Sequence, residues 1–207
     1  NMFKGVTEMV KKLFWINIIA FVAILILKLF GINIDIVMAL YNYRGDDFHL
    51  YQLITHMFVH GGFLHIIFNM LALVSIAPSV ESYYGKNKFL IFYILSGLGA
   101  AFLHMFFMNS NIPMVGASGS ISGIVALFAI LNPNAKLAVF PIPIGIKAKY
   151  LVSFFIGLEI LLSIVGTNDH IAHLAHVGGA LTGLALYFID KNTRLFNKET
   201  WTMHLKK

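Results

Sequence analysis

Ser118 stands in the run Gly116-Ala117-Ser118-Gly119 and His176 in Ala175-His176-Val177-Gly178-Gly179. A serine beside an imidazole is the pair that nucleophilic acyl transfer requires, because the hydroxyl attacks only when a neutral base takes its proton. The same base then activates the water that releases the acyl group. Two more polar side chains, His65 and Asn69, are four residues apart in His65-Ile66-Ile67-Phe68-Asn69, about one helical turn. With no cysteine, thiolate nucleophiles, disulfides and thiolate metal sites are excluded together. Plainer readings stay open beside these: Ser118 suits a helix N-cap, and the neighbouring glycines suit helix packing alone.

The elements that must position these groups are apolar. The 207 residues are 58% hydrophobic and only 12% charged, with mean hydropathy +0.80. Soluble domains approach a quarter charged, so a soluble enzyme is excluded and lipid is the solvent to reason with. The apolar runs predict six transmembrane spans, at about 13–30, 62–80, 88–108, 118–131, 150–165 and 171–189, forming one membrane domain over 1–207. The fourth span is short, since a hydrocarbon core of roughly 30 Å takes about 20 helical residues, so non-helical chain must complete it. The connection at 132–149 carries Pro133, Pro141 and Pro143 and is expected to lie extended along the interface.

Loop charge orients the spans. All but Lys28 and Arg44 of the 15 Lys and Arg fall on one side, the side of Lys11, Lys12, Lys86, Lys88, Lys147 and Lys191. Basic residues are retained in the cytoplasm, so both termini are expected there. The pI near 9.5 is then a topology signal and not a sign of nucleic-acid binding. No transit peptide precedes Lys11, which points to a bacterial inner membrane.

Polar side chains inside spans are functional candidates, because hydrocarbon penalises them. The second, fourth and sixth spans carry them and run from outside to inside. Ser118 lies 14 residues before Asn132 and His176 lies 14 before Asp190, placing both about 21 Å above the cytoplasmic boundary. Counted to Glu81, Asn69 lies at about 18 Å and His65 at about 24 Å, so the four groups share one layer open to outside water. Gly119 with Gly123 and Gly179 with Gly183 each make a G-x-x-x-G, which lets the fourth and sixth spans approach as closely as a Ser-His hydrogen bond needs. A helix mouth at Ser118 also directs N–H groups to where an oxyanion would form.

Across all six spans the chain resembles the rhomboid intramembrane serine proteases. The resemblance rests on His56, His60 and the His65-x-x-x-Asn69 run, on Glu81 with Tyr84-Gly85, on Gly116-Ala117-Ser118-Gly119, and on Ala175-His176-Val177-Gly178-Gly179 with Gly183. It implies an all-α six-helix bundle and an endopeptidase acting on transmembrane-helix substrates in the bilayer, without cofactor or metal. It also implies Ser118 as nucleophile, His176 as base, and His65, Asn69 and the Ser118 amide as oxyanion donors. His56, His60, Gly116, Gly119 and Gly179 are expected to support them. Substrate entry between the second and fifth spans, under an outer loop acting as lid, is a further implication.

His176 is preferred to His173, one turn higher, and to His170 at the external end, because it shares the depth of Ser118. Asp169 is seven residues from His176, about 10 Å along a helix, so a Ser-His dyad is expected. Glu159 in the fifth span is open as an extra, acidic member that nothing in the sequence supports, and is expected to be structural or interfacial; Glu81 is expected to accept loop backbone hydrogen bonds. Two positions depart from the family. Tyr51-Gln52 stands where some members have Trp-Arg, and Ser122 where some have a Tyr stacking on the imidazole. Two rival readings remain: a metalloenzyme built on His56-x-x-x-His60 and His170-x-x-His173-x-x-His176, and a non-catalytic binder of transmembrane helices. The metal reading has neither H-E-x-x-H nor H-x-x-H-H, and no carboxylate expected in the same layer.

Overall fold

Each apolar run read as a span is a helix in the computed structural model, which describes residues 3–107, 113–139, 142–165 and 172–193. The long helices are α1 (Glu8–Leu29), α4 (Phe63–Tyr84), α5 (Lys86–Phe107), α6 (Ser118–Leu131), α7 (Ala148–Val165) and α8 (His173–Thr193). Short helices α2 (Ile34–Met38) and α3 (Gln52–Thr55), with a 3-10 turn at His56–Phe58, fill the loop between α1 and α4. His170, Asp169 and the basic residues from Arg194 onward lie outside the described residues.

Four of these helices, α1, α4, α5 and α7, are long and apolar enough to cross a membrane. The other two differ for physical reasons. α6 has 14 residues, about 21 Å of rise, and α8 dilutes its apolar face with histidines and glycines. Non-helical chain flanks α6 at both ends, as its length demands. Before it, Met114 pairs with Leu40 through N–H···O contacts of 2.8 and 3.0 Å. After it, β1 (Lys136–Val139) and β2 (Ile142–Lys147) form an antiparallel hairpin with Lys136 opposite Lys147, so the connection expected to be extended is a paired ribbon.

α6 is the axis of the bundle. Ile121, Ile124, Leu127 and Phe128 on it are buried against Leu73 of α4 and Phe89, Phe92 and Tyr93 of α5. Outward faces stay apolar: Trp15, Ile19, Phe68, Phe154 and Ile164 are exposed, a surface that suits lipid tails and not water. α7 is the least enclosed of the long helices, with only Ala148 and Val152 buried, both in its first two turns.

Glu81 is structural, but its partners are not loop groups. Its carboxylate accepts from the Thr7 hydroxyl and from the N–H groups of Met9 and Val10 at 2.9 Å each. Those are the unpaired donors of the first turn of α1, and negative charge there also complements the helix dipole. The helix consequently starts at Glu8, earlier than the apolar run beginning at 13.

Candidate active site

α6 begins at Ser118, so the serine occupies the first helical position and the first-turn N–H groups have no partner within the helix. The chain reaches it through Gly116 at φ +114°, a conformation that side chains with a Cβ avoid. The Gly116 N–H donates to the His56 carbonyl at 2.9 Å and ties this approach to the 3-10 turn. Opposite stands α8, and its backbone touches that of α6. A Cβ on Gly179 would collide with the Gly119 carbonyl oxygen, and one on Gly183 with that of Gly123. α5 closes the third side, because a Cβ on Gly119 would meet Ala100 and one on Gly178 would lie 2.7 Å from the Gly99 carbonyl oxygen. Sequence reasoning foresaw the α6–α8 approach and missed α5.

With the helices that close, His176 Nε2 stands 2.9 Å from Ser118 Oγ. The other ring nitrogen, Nδ1, is 2.9 Å from Glu159 Oε1, and Glu159 Oε2 is 2.6 Å from His173 Nδ1. The expectation that no carboxylate shares this layer is thereby corrected, and the residue that supplies one is Glu159, expected to be structural or interfacial. α7 delivers it from 17 residues upstream of His176. A signal was present in the sequence, since a carboxylate in the middle of an apolar span is as costly as the histidines that were singled out.

His65 projects from the first turn of α4. Its Nδ1 accepts from the Gly61 N–H at 3.3 Å, so the ring proton resides on Nε2. That Nε2–H faces the approach to Ser118: a Cβ built on Gly116 would lie 2.7 Å from His65 Nε2 and 3.7 Å from Ser118 Oγ. Asn69 is buried, and its Nδ2 donates to the His65 carbonyl at 3.0 Å, which leaves one amide N–H. His56 is buried too, with Nδ1 2.7 Å from the Gln52 carbonyl, and burial pulls its pKa down to about 4.

His60, expected to support the site, makes a ring contact with His65. Its ring sits edge-on to His65 with centroids 5.2 Å apart, and the Phe58 backbone approaches without reaching hydrogen-bond geometry. Burial, with the neighbouring His65 ring as the lesser cause, pushes its pKa down to about 4. Gln52 does the work of anchoring the outer loop. Its side chain is 1% exposed and accepts from the N–H of Tyr41 at 3.4 Å and His49 at 3.2 Å. It donates to the carbonyls of Val37 at 3.2 Å and Asp47 at 2.9 Å, which uses the whole amide. Among the described residues no group of three or more His, Asp or Glu is arranged to hold a metal ion.

Residues 47–192 match the Rhomboid domain. The RHOMBOID-like protein 6, mitochondrial, of Arabidopsis thaliana is 32% identical over 142 residues, which cover 67% of this chain and 43% of that protein. Rhomboid protease GluP of Bacillus subtilis (strain 168) is 32% identical over 137 residues, covering 66% and 26% respectively. Rhomboid protease AarA of Providencia stuartii is 34% identical over 148 residues, covering 61% and 51%. The chain thus spans about half or less of the length of these relatives. The matched domain and the apolar helices together identify the chain as an integral, multi-pass membrane protein belonging to the rhomboid family.

Proposed function

We propose that the chain is an intramembrane serine endopeptidase that cleaves transmembrane-helix segments of membrane-protein substrates. The observation that carries this reading is the 2.9 Å contact between Ser118 Oγ and His176 Nε2 at the mouth of α6. In the proposed topology α1, α4, α5, α6, α7 and α8 are six spans of one membrane domain, with both termini cytoplasmic. The largely apolar outward faces and the one-sided loop charge support it. A bacterial cell membrane is the proposed address, in line with the named proteases of B. subtilis and P. stuartii.

The reaction follows from the atoms in place. Ser118 Oγ–H gives its proton to His176 Nε2 as Oγ bonds the substrate carbonyl carbon. The resulting oxyanion is held by the Ser118 N–H and His65 Nε2–H, with the free Asn69 amide N–H as third donor. His176 returns the proton to the leaving amine, leaving an acyl-enzyme. Water then loses a proton to His176 as it attacks the ester, and His176 returns that proton to Ser118 Oγ as the acyl bond breaks. A substrate helix must unwind first, because its peptide groups are shielded and hydrogen-bonded within the helix.

The test is cleavage of a fluorogenic transmembrane-segment reporter by purified protein in liposomes. Ser118→Ala and His176→Ala are expected to lose about a thousandfold or more in rate, while His173→Ala continues to turn over and chelator has no effect. Equal activity of wild type and Ser118→Ala would sink the serine mechanism. Reporter binding without cleavage by any variant would favour a non-catalytic binder.

A further inference from the structure

The proposed hydrolysis needs His176 in one tautomer only, with Nε2 bare toward Ser118 and the proton on Nδ1. A neutral imidazole in an apolar site can carry its proton on either nitrogen, so something must choose. We propose that Glu159, on α7, is that group: a positioning residue that accepts the His176 Nδ1–H, fixes the ring, and opposes the positive charge that appears when His176 takes the serine proton. This inference rests on the serine reading of the site.

Both carboxylate oxygens of Glu159 are engaged, Oε1 by His176 at 2.9 Å and Oε2 by His173 at 2.6 Å. Two N–H donors on one face of α8, three residues apart, hold the carboxylate like a fork, so it cannot swing away from His176 without also leaving His173. His173 is 7% exposed and Glu159 24%, so water competes weakly for these bonds. A charge in this setting acts on the imidazolium more strongly than it would in bulk solvent. The arrangement makes a chain of three bonds, Ser118 to His176 to Glu159 to His173, drawn from α6, α8 and α7. The competing structural role is a latch. α7 has no buried side chain beyond Val152, so the two bonds of Glu159 could serve only to hold its second half against α8.

Kinetics and spectroscopy separate the two roles. Wild type, Glu159→Gln, Glu159→Asp and Glu159→Ala are compared for kcat and KM on the reporter, for the rate of Ser118 labelling by a fluorophosphonate, and for thermal midpoint. The 15N shifts of the histidine rings report the tautomers. Expected is a fall in kcat of about a hundredfold or more in Glu159→Gln and Glu159→Ala, with KM within about twofold and labelling slowed in parallel. Glu159→Asp should recover part of that loss, and the His176 Nδ1–H signal of wild type should shift or disappear in Glu159→Gln. A change in KM or thermal midpoint with kcat and labelling intact would show a latch and overturn the proposal. So would a wild-type His176 ring protonated on Nε2. Failure of the serine reading itself shows differently, as a Ser118→Ala variant as active as wild type, and the ring spectra still decide whether Glu159 holds the His176 proton.

Discussion

Gly116 and His65 are packed so tightly that a Cβ on the glycine would lie 2.7 Å from both Cε1 and Nε2 of the imidazole. The same glycine has φ +114°, so two independent restraints exclude a side chain there. Gly116→Ala carries about 1–2 kcal/mol of backbone strain and must displace the His65 donor as well. Reporter cleavage should fall at least about tenfold while the protein remains folded by thermal melting. Wild-type turnover would mean that His65 does not face the reacting carbonyl.

Gln52 offers a loop prediction. Replacing it by Leu keeps the volume but leaves the backbone groups of Val37, Tyr41, Asp47 and His49 without their partner. Each buried unpaired group costs about 1–3 kcal/mol, so a loss of at least about 2 kcal/mol is expected. It should appear as a lower unfolding midpoint in detergent and as faster protease nicking between α1 and α4. An unchanged midpoint would show that water satisfies these groups.

Glu81 tests scaffold without chemistry. Glu81→Ala should cost about 1–2 kcal/mol, because the first turn of α1 loses its acceptor and its negative charge together. Cleavage well below the melting range should stay within about twofold of wild type. A large loss of turnover under those conditions would connect α1 to the reacting groups by a route that the packing does not suggest.

Acid should loosen the outer part of the molecule. The pKa values of His56 and His60 are both pulled down to about 4, against about 6.5 for the unfolded chain. The unfolded state therefore binds more protons between those values. Their contribution to stability is complete above about 6.5, declines as pH falls toward about 4, and levels off below. Each imidazole contributes a slope approaching about 1.4 kcal/mol per pH unit in that window. Unfolding midpoints from pH 8 to pH 4 measure it, and His56→Gln should flatten the curve. Identical midpoints at pH 7 and pH 5 would contradict the burial of both rings.

The sequence made the apolar helices legible because hydrocarbon imposes a composition that nothing else imposes, and the pairing of Ser118 with His176 was legible from counting at a fixed rise. Helix phase was not legible. Whether α7 turns Glu159 toward α8 or toward lipid depends on a rotation that a nearly all-apolar helix does not encode, so the carboxylate was expected to be structural or interfacial. Gln52 was hidden for another reason. Its partners are backbone groups at Val37, Tyr41, Asp47 and His49, and backbone atoms leave no trace in side-chain pattern. The end of α1 at Glu8 was misplaced on the same ground, since the acceptor that starts the helix is Glu81, far along the chain.

The contact of Gly119 with Gly179, and of Gly123 with Gly183, has a one-sided character. No residue is smaller than glycine, so the gap between α6 and α8 already sits at its lower limit, set by backbone atoms with no rotamer between them. A side chain at Gly123, Gly179 or Gly183 can only widen it, whereas one at Gly119 would press on Ala100 of α5. Ser118 and His176 are thus held at a hard stop, a separation that sequence drift can lengthen and never shorten.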